Sequence, residues 1–195
     1  MTADASVFFR LWLPKPLRLA AANPSGAHLA DAVARCIDLA RPGPVLELGA
    51  GTGGLTRGLI RAGCSPERII ALEREPALVA VLRREFPTMK IIADDATQIG
   101  VHLVGHVERL AGVVSSLPIK WFSADAQHAV IRPCLDLLGP DGYFVQLTNA
   151  FSSPLTADRL GIAGRKVGRV WLNLLPTQIW SYWERAPSSG KEGER

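Results

Sequence analysis

Apolar positions along the chain fall into two rhythms that take turns. In "GAHLADAVARCIDLA" (26–40), Leu29, Val33, Ile37 and Leu39 recur at helical spacing. The next run, "GPVLELGAGTGG", is short and apolar and ends in glycines, as a buried strand entering a tight turn does. The alternation then repeats. "LTRGLIRAG" predicts a helix closed by Gly63, "RIIALERE" a second strand, and "PALVAVLRREF" a helix that Pro76 opens where proline is tolerated. "MKIIADDA" reads as a third strand, residues 97–105 as a short helix or loop, and "LAGVVSSLP" as a fourth strand. "DAQHAVIRPCLDLLGPDG" predicts a helix that Pro133 is placed to kink, and "GYFVQLTN" a fifth strand. Finally "RVWLNLLP" and "TQIWSYWER" are strand-like and separated by a proline turn, which predicts antiparallel neighbours.

Strands alternating with helices imply an α/β fold: a mostly parallel, seven-stranded sheet covered on both faces, closed by an antiparallel C-terminal hairpin. Sheets of this kind bind ligands beyond the carboxyl ends of their strands, near the switch in strand order. The 195 residues, 48% of them apolar, suit one domain with a sound core. That domain is expected over residues 23–186, preceded by a distinct segment (1–22) and followed by a solvated tail (187–195).

Charge changes this picture in two places. The net charge of +4 gathers at the front (Arg10, Lys15, Arg18) and in residues 159–169 (Arg159, Arg165, Lys166, Arg169), which are expected to form a loop. The front segment also carries Phe8, Phe9, Leu11, Trp12 and Leu13. No apolar run reaches the roughly 18 to 20 residues that span a bilayer, and the cations within and after the greasy stretch do not suit a signal peptide. Cys36, Cys64 and Cys134 lack metal-ligand spacing and read as reduced, packed thiols; no metal site is expected.

Candidate chemistry begins at "VLELGAGTG". Gly49, Gly51 and Gly53 follow a strand directly, where glycine lets the backbone turn sharply and approach a ligand. The loop lacks the G-K-[ST] ending of a nucleotide-hydrolysing phosphate loop. Glu73 ends the second strand twenty residues after Gly53, where a carboxylate can accept both hydroxyls of a ribose. Asp95, with Ala96 beside it, ends the third strand, where it can accept from an adenine amino group; Asp94 is its structural neighbour. Glu47, inside the first strand, either reaches the amino group of a methionine moiety or orients the loop.

Together these residues resemble the class I methyltransferases, a Rossmann-like fold whose cofactor is S-adenosyl-L-methionine and whose product is S-adenosyl-L-homocysteine. The resemblance implies a cofactor pocket of Glu47, Gly49, Gly51, Gly53, Glu73, Asp95, Ala96 and Ser115. "VLELGAGTG", "DDAT" and "SSLP" occur in the order of the rRNA adenine dimethyltransferase superfamily. Its asparagine and aromatic are replaced here, by Ser116 and Ile119, so a flipped base is not the expected acceptor and no nucleic-acid partner is expected.

The chain is more similar to bacterial phospholipid N-methyltransferases of the soluble, membrane-associating kind. "FFRLWLPKPLRLAAANPSG", "SPERIIALE", "SSLP", "FVQLTN" and "VGRVWLNLLPTQIWSYWER" carry that resemblance, with Asn149 standing where an aromatic is expected. It implies N-methylation of phosphatidylethanolamine and its mono- and dimethyl forms toward phosphatidylcholine. Ornithine-lipid, rRNA and small-molecule amine methylation are the alternatives. It further implies an amphipathic helix over residues 3–13 with Phe8, Phe9, Leu11 and Trp12 against an anionic membrane surface, on the inner face of the cell membrane. Lys15, Arg18, Arg165 and Arg169 would reach the lipid phosphate, and Ser116, Leu117 and Pro118 would line the amine's approach. No histidine among His28, His102, His106 and His128 sits in a motif, and Tyr143 and Tyr182 are candidate substrate contacts without one, so the sequence names no catalytic base.

Overall fold

The computed structural model describes residues 24–172 and 175–185. The expected N-terminal helix with Phe8, Phe9, Leu11, Trp12, Lys15 and Arg18, and the tail, lie outside the described residues. Helix α1 (Pro24–Ala34) leads through a turn to β1 (Val45–Leu48), and then α2 (Gly54–Arg61), β2 (Ile69–Leu72), α3 (Pro76–Glu85) and β3 (Lys90–Ile92) follow. Helix α4 (Ile99–Leu103), β4 (Gly112–Ser115), α5 (Ala124–Leu138) and β5 (Phe144–Thr148) complete the alternation. A short α6 (Ala157–Leu160) precedes β6 (Ile162–Leu172) and β7 (Leu175–Glu184).

The seven strands form one sheet in the order β3-β2-β1-β4-β5-β7-β6. Strands β1 to β5 are parallel, and β7 inserts antiparallel between β5 and β6. Because β6 is antiparallel to β7, it runs with the parallel strands and ends at the same edge. The strand order reverses between β1 and β4, so the loops after these two strands face each other at the expected ligand crevice.

Strands β1, β2 and β4 are buried at every position, which is why they read as continuous apolar runs rather than alternating ones. Two cores result. Leu46, Leu48, Ile70, Leu72, Val113, Phe144 and Tyr182 meet α4 and α5 on one face. Val45, Ile69, Ala71, Val114, Val145 and Ile179 meet α1 to α3 on the other.

The structure corrects four local expectations. Helix α1 stops at Ala34 instead of continuing to residue 40. Helix α5 runs unbroken through Pro133, whose ring packs where Gly100 of α4 leaves room; a Cβ there would lie 3.2 Å from Pro133 Cγ. Pro176 is not in the hairpin turn but in β7, opposite Trp171. The basic run expected as a loop is strand: Arg165, Lys166 and Arg169 belong to β6, because ten of its eleven residues pair with β7, with a bulge between Lys166 and Gly168.

Candidate active site: two loops at the strand switch

At the end of β1 the backbone enters the left-handed region three times, at Gly49 (φ 76°), Gly51 (φ 58°) and Gly53 (φ 79°). The amides of Gly49 and Ala50 donate to Leu72 O at 2.9 and 3.1 Å, which bends the chain over the end of β2. A Cβ on Gly49 would come within 3.0 Å of Leu117 Cδ2 and 3.2 Å of Ser116 Oγ, and one on Gly53 within 2.6 Å of Phe86 Cε2. Side chains are therefore excluded by conformation and by space at Gly49 and Gly53, and disfavoured by conformation alone at Gly51.

The acids are held in three different ways. Glu73, 2% exposed, accepts the Gly51 amide on Oε2 and the Glu75 amide on Oε1, both at 2.9 Å, and so fixes the glycine loop as well as facing it. Asp95 caps a short turn: Oδ1 accepts the Thr97 amide at 3.0 Å and its hydroxyl at 2.7 Å, while Oδ2 lies 3.3 Å from Arg74 Nη1. Desolvation opposes its charge, but the Thr97 bonds and Arg74 outweigh it and hold the carboxyl below its usual range. Asp94 is drawn away to His102 Nε2 at 2.7 Å, a bond that also holds its carboxyl low. Asp95 thus remains the acid beside Ala96, which is buried at this turn.

Glu47 is the unusual one. It is 1% exposed and its Oε2 accepts the Thr56 hydroxyl of α2 at 2.6 Å. Its Oε1 is buried with no hydrogen-bond partner among the described residues. Burial pushes its carboxyl up to about 7, against the pull of the Thr56 bond. A buried acid aimed beneath a glycine loop, with one oxygen unpaired, fits a ligand that brings a cationic or N–H group.

The loop after β4 locks onto the glycine loop. Ser116 donates its amide to Leu48 O at 3.0 Å and its hydroxyl to Gly49 O at 2.7 Å. The buried Ser115 hydroxyl accepts the Leu117 amide at 3.4 Å. Pro118 precedes a single turn at Ile119–Trp121. From β5, Gln146 Nε2 donates to Leu117 O at 2.9 Å and to Leu147 O at 2.7 Å. Sequence reasoning missed Gln146 and Thr56. A wholly buried amide inside the apolar strand "FVQLT" was the available signal for Gln146.

Other expected residues separate. Arg165 stands opposite Ser181 and Arg169 opposite Gln178, on opposite faces of the sheet. Tyr182 is buried with its hydroxyl 2.8 Å from Ser153 Oγ, and Tyr143 lies at the far end of β5 against Trp183. The Tyr182 hydroxyl is thus committed to Ser153, and Tyr143 stands at the end of β5 away from the carboxyl edge. The three cysteines are unbridged.

A glycine loop after β1, an acid after β2, an acid after β3 and a sheet with one antiparallel strand beside β5 define a class I S-adenosylmethionine-dependent methyltransferase. Residues 45–142 match the family described as a methyltransferase domain. An ornithine lipid N-methyltransferase from Singulisphaera acidiphila is 32% identical over 74% of this chain and 78% of its own. A probable ribosomal RNA small subunit methyltransferase A from Methanosarcina mazei is 39% identical over 52% of this chain, but only 35% of that protein is covered. The 1,6-didemethyltoxoflavin-N1-methyltransferase of Burkholderia thailandensis, solved with S-adenosylhomocysteine, aligns over 82% of this chain and 79% of its own, with TM-score 0.59 and 20% identity, a likeness of fold. The chain belongs to the S-adenosylmethionine-dependent methyltransferases, and S-adenosylmethionine is its methyl donor.

Proposed function

We propose that this enzyme methylates the amine of a membrane lipid headgroup: phosphatidylethanolamine and its mono- and dimethyl forms, toward phosphatidylcholine. The observation that carries the reading is the rim of the crevice. Trp121 follows β4, Phe151 follows β5 and Trp171 is the penultimate residue of β6, so all three stand at the edge where the parallel strands end. They are 62%, 77% and 62% exposed. Lys120 joins two of these loops through Ser152 Oγ at 3.2 Å. Residues 112–123, 144–156 and 162–183 contain no acid but carry Lys120, Arg165, Lys166 and Arg169. Exposed aromatics interleaved with cations suit the headgroup depth of an anionic bilayer. Among the described residues no helix is long and apolar enough to cross a membrane. The inner face of the cell membrane is the proposed location.

When bound, S-adenosylmethionine supplies a methyl group already activated on a sulfonium sulfur. The protein's part is to hold the donor with Glu47, Glu73, Asp95 and the glycine loop, and to bring a neutral amine in line with that methyl. Primary amines have pKa values of roughly 10, so the headgroup must shed a proton before attack. The locked Ser115–Leu117 loop supplies oxygens that orient the remaining N–H groups. Ornithine lipid is the second reading, favoured by the Singulisphaera relative. The departure at Asn149, which accepts from Thr177 Oγ1 at 3.0 Å, bears on that choice of headgroup.

The test is transfer of labelled methyl from S-adenosylmethionine to vesicles containing phosphatidylethanolamine, its mono- and dimethyl forms, or an ornithine lipid. Label in phosphatidylcholine is the expected result, and label only in the ornithine lipid establishes the second reading. Label in no lipid, from protein that still binds S-adenosylhomocysteine, rejects both and turns attention to RNA and soluble amines.

A further inference from the structure

Buried polar side-chain atoms without a hydrogen-bond partner among the described residues are Glu47 Oε1, Gln146 Oε1, Gln178 Nε2 and Trp180 Nε1. The first lies under the glycine loop. The other three share one face of the sheet, because Gln146 is opposite Trp180 and Thr148 is opposite Gln178 in the β5–β7 register. Leu48, Ser115, Gln146, Trp180 and Lys166 form a single row across β1, β4, β5, β7 and β6. The row turns from apolar to polar at Ser115, the point where the two loops lock together. Gln178 stands two residues nearer the carboxyl edge, opposite Arg169.

None of the three groups can turn to satisfy itself. Gln146 Nε2 already donates twice, to Leu117 O and Leu147 O, which leaves its oxygen as the unpaired atom. Gln178 Oε1 accepts from Arg169 Nε at 3.3 Å, which leaves its amide nitrogen. The Trp180 indole is stacked on Tyr182, with centroids 6.1 Å apart and planes 13° from parallel. What remains is one acceptor and two donors at fixed positions. Buried groups of this kind cost free energy unless a ligand supplies the missing partners.

We infer that this row is a subsite for a zwitterionic headgroup, an amine joined by a short chain to an anionic oxygen. Gln146 Oε1 accepts an N–H of the amine beside Leu117. Gln178 Nε2 and Trp180 Nε1 donate to the anion, and the exposed Arg169 and Lys166 supply the opposite charge. The three unpaired atoms are shielded from solvent, so these two long side chains are the ones that yield as a headgroup arrives. The inference rests on the lipid-amine reading and deepens it, since an amine without a neighbouring anion would leave both donors unpaired. A phosphodiester and a carboxylate present the same oxygens to these donors.

The experiment follows the Trp180 indole N–H by 15N–1H NMR in protein saturated with S-adenosylhomocysteine, the signal being assigned from Trp180→Phe, which keeps the ring stack. Glycerophosphoethanolamine forms the phosphodiester arm and ornithine the carboxylate arm; ethanolamine is the control without an anion. The indole signal is expected to shift with one of the zwitterions and not with ethanolamine. In parallel, Gln178→Met and Trp180→Phe are expected to raise the KM of an amino-lipid dispersed in detergent about tenfold, with the KM for S-adenosylmethionine unchanged. An indole signal that no zwitterion moves, or equal losses on charged and charge-neutralised lipids, overturns the subsite. Indole shifts from an enzyme that methylates no lipid would leave the subsite standing and reject the lipid reaction instead.

Discussion

The two halves of the sheet meet the crevice in opposite ways. On the methyl-donor half, β1 to β3 with the loop after β4, the groups expected to face the donor are already bonded: Glu73 to two backbone amides, Asp95 to Thr97 and Arg74, Ser116 to Gly49. Glu47 Oε1 is the exception there. On the other half, β5 to β7, Gln146, Gln178 and Trp180 share one face of the sheet, and each keeps one buried polar atom without a partner among the described residues. The contrast is between a donor side whose groups are fixed before S-adenosylmethionine arrives and an acceptor side that, on the subsite we infer, keeps polar atoms for a headgroup to complete.

Glu73→Ala tests the first half and should have the largest effect. It removes the acceptor of the Gly51 and Glu75 amides together with the carboxylate expected to hold the donor's ribose. Hydrogen bonds to a charged group contribute about 1.5–3 kcal/mol each, so S-adenosylhomocysteine should bind at least about a hundredfold more weakly by calorimetry. Binding within a few-fold of the parent would show that the loop holds its shape without the acid.

Glu47 makes a pH prediction of nearly the same size. Its carboxyl stands at about 7 in the fold against an ordinary 4.5. The folded protein therefore keeps a proton that the unfolded chain releases, and the associated stability is complete below pH 4.5 and lost as pH rises through 7. The loss amounts to about 3 kcal/mol. Denaturant unfolding should show Glu47→Gln gaining on the parent across this window, and parallel curves would refute the buried proton. The same group decides its own role. If its free oxygen meets the ammonium of the methionine moiety, ligand binding at pH 6 must release a proton, seen as a calorimetric heat that depends on the buffer. No release would leave Glu47 as the loop's brace.

The donor half was legible in the sequence because its chemistry is local. "VLELGAGTG", Glu73 and Asp95 each occupy the end of a strand, so the order of strands along the chain locates them. Periodicity also fixed the sheet's alternation, while Pro133 and Pro176 misled because space at Gly100 accommodates the first and the second lies opposite Trp171 beyond the stretch of β7 that pairs with β5. The acceptor half was not legible. Gln146, Gln178 and Trp180 meet only through an antiparallel register set by β7 slipping between β5 and β6, which no local pattern announces. The separation of Arg165 from Arg169 likewise comes from their pairing with Ser181 and Gln178.

Gln146→Leu sharpens the comparison from the acceptor side. It deletes an unpaired oxygen along with the bonds to Leu117 and Leu147, and Leu117 O keeps its bond from the Ile119 amide at 2.8 Å. Stability should change by no more than about 1 kcal/mol, since removing an unsatisfied group offsets the lost bonds. Methyl transfer should nevertheless fall about tenfold, with the affinity for S-adenosylhomocysteine unchanged, because the Leu117 loop, which lines the amine's approach on the proposed reading, loses its clamp. A matching loss of cofactor affinity would mean that the halves are one coupled unit rather than two.

The smallest effect belongs to the rim. Phe151 is 77% exposed, follows β5 directly and precedes the Ser152 that holds Lys120. Half-burying a phenyl ring in a bilayer interface contributes about 1 kcal/mol, so Phe151→Ser should weaken binding to anionic vesicles about fivefold in co-sedimentation. Its thermal stability and its turnover of detergent-dispersed lipid should match the parent, because the ring lies outside both cores. Unchanged vesicle binding would assign the membrane contact elsewhere. A loss of turnover in detergent would instead move Phe151 from the rim into the acceptor site.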